Sequence, residues 1–106
     1  MNSPTPAVLD EEGYLVEPNE WTPEIALELA RGEHIELTSV HWDVIQFMRH
    51  FQAEHQVAPD ARFVIRHLLS AHGLDRNALF TLFPYGYVKQ ACKIAGMKRP
   101  RACSTG

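Results

Sequence analysis

No apolar run in this chain approaches the roughly 18 to 20 residues that a bilayer span needs, so no membrane-crossing helix is expected. The opening Met1-Asn2-Ser3-Pro4-Thr5-Pro6 has neither the basic nor the apolar region of a signal peptide, which points to a cytoplasmic location. Cysteine is scarce: Cys92 and Cys103 are the only two, and they do not form a CxxC arrangement. In a reducing compartment such a pair argues for redox or metal chemistry over a static crosslink. The histidines, His34, His41, His50, His55, His67 and His72, lack the i, i+4 pair with an intervening Glu that a zincin requires, so neither a metal nor a cofactor is expected. Internal repeats are absent, as are low-complexity tracts beyond the first six residues, and no acidic residue occurs after Asp75.

What the chain does have is apolar material for one core. Of its 106 residues 45% are hydrophobic, with two Trp, five Phe and three Tyr, which suits a single ordered domain over 1–106 with a flexible N-terminus over 1–6. The net charge of -3 conceals a division. Residues 1–60 hold twelve Asp and Glu against Arg31 and Arg49, whereas residues 61–106 hold eight Lys and Arg against Asp75. Halves of opposite sign either attract each other on folding or leave a basic surface for an anionic partner, a nucleic acid or an acidic protein.

Val8-Leu9 and Tyr14-Leu15-Val16 flank the turn cluster Asp10-Glu11-Glu12-Gly13, which predicts a short β-hairpin that must pack on something else, with Trp21 marking the contact. Thr22-Pro23-Glu24 is a helix start, so a helix is expected over 23–31 with Gly32 as its stop and Ile25, Ala26, Leu29 and Ala30 facing the core. Thr38 caps a helix over 39–55 whose core stripe is Val40, Val44, Phe47, Met48 and Phe51, with His41, Arg49 and His50 on other faces. Asp60 caps a third helix over 61–72, which buries some of Phe63, Val64, Leu68 and Leu69 and ends at Gly73. Asp75 caps a short fourth helix carrying Leu79, Phe80, Leu82 and Phe83, and a last helix over 87–95 turns Val88, Ala91, Ile94 and Ala95 inward and stops at Gly96. The expected fold is mainly α, with a small N-terminal β-hairpin or meander, an orthogonal helical array containing a helix-turn-helix-like pair, and a flexible C-terminal arm over 97–106. That pair makes regulatory DNA binding an alternative function, through Arg62, Arg66 and Arg76, although its second helix offers base edges only Arg76, Asn77 and Thr81.

The chemistry is concentrated at the end of the chain. Residues 89–106 contain both cysteines, five of the ten basic residues and no acid. Lys89 and Lys93 flank Cys92, and Lys98, Arg99 and Arg101 precede Cys103; neighbouring cations lower a thiol's pKa, so either thiol is a candidate nucleophile at neutral pH. Cys92 reads equally well as a small half-buried helix residue, one turn after Val88. Cys103 lies too near the end to serve a core, so its presence implies use. The eleven-residue separation reaches about 36 to 40 Å when extended. An arm hinged at Gly96 therefore either enters another protein's site or returns Cys103 to Cys92, and the loop closure costs only a few kcal/mol.

Leu9-Asp10-Glu11-Glu12-Gly13-Tyr14-Leu15, Trp21-Thr22, Ile35-Glu36-Leu37-Thr38 with His41-Trp42, Phe83-Pro84 with Gly86, and above all Lys89-Gln90-Ala91-Cys92-Lys93-Ile94-Ala95-Gly96 with a second terminal cysteine resemble the DsrC/TusE/DsvC family of sulfur-relay proteins. The resemblance spans about residue 8 to Cys103. It implies a small helical domain with an N-terminal β-element and a mobile arm, acting as a monomeric sulfur carrier or protein co-substrate and not as a stand-alone enzyme. Cys103 matches the cysteine that accepts sulfur as a persulfide or enters the active site of dissimilatory sulfite reductase. Cys92 matches an upstream cysteine present in the DsrC type and absent from typical TusE proteins, the two thiols bridging through a disulfide or trisulfide. The partners implied are sulfur donor and acceptor proteins, with a TusE-like role in tRNA 2-thiouridine synthesis as the alternative. Lys89, Lys93, Lys98, Arg99 and Arg101 are then candidates for partner binding and thiolate stabilisation. The chain departs from the family pattern in the trailing Ser104-Thr105-Gly106, in Pro100-Arg101-Ala102 where Pro-Thr-Gly is usual, and in Tyr87 where Pro commonly follows the glycine matched by Gly86.

Overall fold

The computed structural model describes residues 8–98; the expected flexible N-terminus over 1–6 and, beyond Lys98, the part of the arm that carries Arg99, Arg101 and Cys103 lie outside the described residues. The first described segment is a tight loop. The Asp10 carboxylate accepts the backbone N–H groups of Glu12 and Tyr14 at 2.9 Å each, and Gly13 takes a left-handed φ of +90°. The expected hairpin is reduced to one isolated antiparallel bridge, Leu9 with Leu15, and no strand occurs among the described residues. Two causes stop the ladder: Asp10 captures donors in the turn, and Pro18, which has no N–H, begins a 3₁₀ turn over Pro18–Glu20. The loop still delivers Tyr14 and Leu15 to the interior.

Helix α1 (Pro23–Gly32) starts where Thr22 Oγ1 accepts the Ile25 N–H at 3.2 Å, a cap that stabilises by about 1 kcal/mol. Ala26 and Ala30 are buried, and Glu24 and Glu28 face solvent. Gly32 does not stop the helix; it is the last helical residue, and the chain turns at His34, with φ +60°. Helix α2 (Ser39–His55) buries Val44, Ile45 and Met48. His41 belongs to the interior, contrary to its expected outward place. Its Nδ1 accepts the Thr38 N–H at 3.0 Å, completing a capping box, while Nε2 donates to the Leu82 carbonyl at 2.9 Å. The ring meets the Phe83 face edge-on at 5.2 Å. One side chain thereby closes the start of α2 against Leu82 and Phe83.

Helix α3 (Ala61–His72) is capped by Asp60, whose carboxylate accepts the Arg62 N–H at 2.9 Å, and ends at Gly73 with φ +68°. Val64 and Leu68, one turn apart, go inside; Leu69 is exposed, and Phe63 lies at the surface beside Phe51 at 5.3 Å. Helix α4 (Asn77–Leu82) starts where Asp75 accepts the Asn77 N–H at 2.9 Å. Leu79 and Phe83 are buried, whereas Phe80 is 60% exposed, because a two-turn helix can turn only one side to the core. Helix α3 packs against both α2 and α4. The remaining core positions, Ala91, Cys92, Ile94, Ala95 and Met97, come from the C-terminal segment, which therefore runs through the centre and not over the surface.

Candidate functional site

The sequence periodicity predicts an α-helix over 87–95, and the backbone is different. Tyr87–Cys92 form a π-helix that runs into a short α-turn at Lys93 and Ile94. A π-turn closes from i to i+5, so it accommodates one more residue per turn than an α-helix. The entry is set at Gly86, whose φ of +116° is accessible to glycine and strained for other residues. Gln90, fully buried, fixes the next step. Its Oε1 accepts the Tyr85 N–H at 2.9 Å and its Nε2 donates to Glu33 Oε1 at 3.0 Å. Glu33 Oε2 in turn receives Lys93 Nζ at 3.2 Å. Burial alone would raise the Glu33 carboxyl, but the hydrogen bonds from Gln90 and Lys93 outweigh it and hold the group below its ordinary value.

Side chains from distant parts of the chain clamp the carbonyls of this segment. Tyr14 Oη donates to the Val88 carbonyl at 3.0 Å, Trp21 Nε1 to Ile94 at 3.0 Å, and Arg49 Nη1 to Ala95 at 2.7 Å. Arg49 Nη2 also reaches the Pro18 carbonyl at 3.2 Å, and its guanidinium lies 4.2 Å from the centre of the Trp21 ring. The Ile94 and Ala95 carbonyls are acceptors that the end of a helix leaves unpaired. The backbone satisfies others through a Schellman closure, with Met97 N–H to Cys92 O and Gly96 N–H to Lys93 O, each 3.0 Å. Gly96 takes φ +79°, and a Cβ at this position would overlap Cδ1 of Trp21 and lie 2.8 Å from its Cγ. Gly96, the residue expected to be the hinge, forms a left-handed corner packed closely on Trp21. Met97, placed at the start of the arm by the sequence pattern, is only 3% exposed and belongs to the core; Lys98 is the first exposed residue beyond it.

Cys92 is a free thiol with no exposed surface. The expectation that flanking lysines activate it does not hold in this geometry. Burial pushes the thiol up to about 12, opposed only in part by a hydrogen bond with the Tyr87 hydroxyl. Lys93 is engaged with Glu33 and lies 5.4 Å from the centre of the Tyr14 ring, and Lys89 is on the exposed side of the π-helix. The site presents a protonated, shielded sulfur. The sequence pattern singles out Cys92 as a candidate and Trp21 as a contact, but not the parts played by Tyr14, Glu33, Arg49 and Gln90. The available signal was Arg49, a cation beside Met48 in an otherwise core-forming helix.

A second polar cluster lies on α2 and α3. Asp43 Oδ2 is 2.7 Å from His67 Nε2 and 2.8 Å from His72 Nε2. It borders a cleft of about 310 Å³ whose other walls include Phe47, His50, Phe51 and Glu54. Among the described residues no group of three His, Cys, Asp or Glu is arranged to hold a metal ion, and no helix is long and apolar enough to cross a membrane.

Fold and segment together define a small helical domain that buries one thiol, Cys92, ahead of a second cysteine in the sequence. The chain belongs to the DsrC-like protein family, whose model, described as "DsrC like protein", matches residues 3–104. Sulfurtransferase TusE of Salmonella paratyphi A is 38% identical over 97 residues, covering 89% of each chain. Sulfurtransferase TusE of Buchnera aphidicola subsp. Schizaphis graminum is 42% identical, covering 89% of this chain and 85% of the relative. Among solved structures, the oxidized gamma-subunit of the dissimilatory sulfite reductase (DsrC) from Archaeoglobus fulgidus superposes with a TM-score of 0.84 at 34% identity, covering 92% of each chain. DsrC of Allochromatium vinosum gives 0.80 at 40% identity, covering 92% of this chain and 90% of that one.

Proposed function

We propose that this protein is a sulfur carrier of the two-cysteine DsrC type, in which Cys103 receives and delivers sulfur and Cys92 resolves the loaded state. The observation that carries this reading is the presence of Cys92 inside the Lys89–Gly96 octet, buried and clamped, in a family member that also has Cys103. A thiol kept protonated and away from solvent does not react with small oxidants. It reacts with a sulfur brought to it.

In the resolving step the Cys92 sulfur attacks the inner sulfur of a Cys103 persulfide. A Cys92–Cys103 bond forms, and the bond from Cys103 to its outer sulfur breaks. That outer sulfur leaves as sulfide and takes the proton given up by Cys92, so the two cysteines are oxidised by the sulfur they release and no other oxidant is consumed. The physiological partner on this reading is a sulfite reductase-like complex in the cytoplasm. Lys89, Lys98, Arg99 and Arg101 steer docking, and a chain turning beyond Gly96 carries Cys103. A second reading, delivery within a Tus-type relay toward tRNA thiolation, is favoured by the 38 to 42% identity to proteins named sulfurtransferase TusE.

Incubation with a persulfide donor is expected to add one sulfur mass to Cys92→Ser, in which the loaded state is not resolved, and none to Cys103→Ser. Undiminished loading of that variant would remove Cys103 from the mechanism. The two readings part on Cys92: Cys92→Ser should block sulfide release in the first and leave transfer to an acceptor intact in the second.

A further inference from the structure

Tyr87 is the first residue of the π-helix and Cys92 the last. The hydrogen bonds of such a helix run from i to i+5, so the two residues are neighbours on successive turns. Tyr87 places a phenol hydroxyl at this end of the turn. The hydroxyl donates to the carbonyl of Pro59, a fully buried residue in the loop between α2 and α3, and lies within hydrogen-bonding reach of the Cys92 sulfur. It has one proton and two acceptors. While the thiol keeps its own hydrogen, S–H donates to the Tyr87 oxygen and O–H donates to Pro59, a short relay in which every donor is used.

We propose that Tyr87 is a positioning residue for Cys92: when the sulfur gives up its proton to attack or leave, the Tyr87 hydroxyl turns from the Pro59 carbonyl and donates to the sulfur instead. The inference rests on the reading of Cys92 as the resolving thiol. Its physical basis is that a buried thiolate has few means of stabilisation, and the adjacent cation among the described residues is engaged elsewhere. Lys93 is committed to Glu33. The charged group that faces the pair from the α2–α3 loop is Asp60, an anion whose carboxylate is engaged by Arg62. A neutral donor is what remains. Burial and the adjacent sulfur hold the Tyr87 phenol above its ordinary value, so it donates a hydrogen bond without losing its proton. The relay also fixes the rotamer of Cys92, because S–H and Oη must meet for both to be satisfied.

The test is a single-turnover thiol exchange on the full chain. Ellman's reagent converts Cys103 to a mixed disulfide and releases one thionitrobenzoate; attack by Cys92 then releases a second in a concentration-independent phase, leaving the Cys92–Cys103 bond. Tyr87→Phe is expected to slow the second phase on the order of tenfold, the scale of a hydrogen bond to a charged group, and to move its pH midpoint upward. Placement of 3-fluorotyrosine at 87, which keeps the hydroxyl, should restore both. A Tyr87→Phe second phase equal to wild type in rate and pH profile would overturn the proposal. So would a defect that 3-fluorotyrosine leaves uncorrected, since packing alone would then be the role. If the wild type shows no second phase, the resolving role of Cys92 fails first, and Tyr87 has nothing to position.

Discussion

At the scale of single residues, burial has overruled sequence neighbourhood. Cys92 stands between two lysines, yet its thiol is held up at about 12 because the sulfur is fully buried. In a Cys103→Ser background, native protein at pH 8 should resist iodoacetamide and become fully modified only after denaturation; rapid native labelling would contradict the burial. The same shift fixes an alkaline signature. Because the folded-state pKa lies above the ordinary 9.0, the contribution is complete below about pH 9 and is lost as pH rises toward 12, at about 1.4 kcal/mol per pH unit. Urea titrations at pH 7 and pH 10.5 should show that loss in wild type and a smaller one in Cys92→Ala. Gly96 gives the other residue-scale prediction. Gly96→Ala combines a left-handed backbone with overlap on the Trp21 indole, so it should cost about 3 kcal/mol, visible as a fall in Tm.

At the scale of elements, the C-terminal segment depends on donors that are far away in sequence. Arg49→Met keeps the length of the stem and removes two hydrogen bonds, leaving the Ala95 carbonyl unpaired beside the core. The expected cost is about 2 kcal/mol, or roughly 10 °C in Tm for a domain of this size. An unchanged melting curve would show that water substitutes for the guanidinium. This dependence also explains which elements were legible. Helices α2 and α3 could be bounded in advance because their signals, Thr38, Asp60 and Gly73, adjoin the residues they cap. The π-turn could not. Val88, Ala91, Ile94 and Ala95 have a spacing that an α-helix satisfies as well, and what distinguishes the two is the set of partners at Tyr14, Trp21 and Arg49, some 46 to 74 positions away. The hairpin expectation meets a single antiparallel bridge for a related reason: alternation around a glycine turn signals pairing, but it carries no information about how soon Pro18 ends it.

At the scale of the whole molecule, the acidic and basic halves attract each other in the fold, as their charge division allows. Glu33 and Lys93 join them through side chains only 25% and 18% exposed, which places the pair outside the class of weak surface bridges. The Glu33 and Asp43 carboxyls are both held below their ordinary values despite burial. Their contributions are therefore present above the unfolded carboxyl pKa and lost as pH falls through the folded one. Stability to urea should drop between pH 6 and pH 3, and Glu33→Gln should flatten that drop; a variant with the full wild-type slope would exclude Glu33 as a source. The π-turn has a further consequence for how such a chain can change over generations. Deleting one residue between 87 and 92 would let the backbone regularise to an α-helix with its amide pairing intact, while turning everything on one side of the cut by about 100° relative to the other. The fold could survive such a single-codon loss, and the environment that keeps Cys92 silent could not.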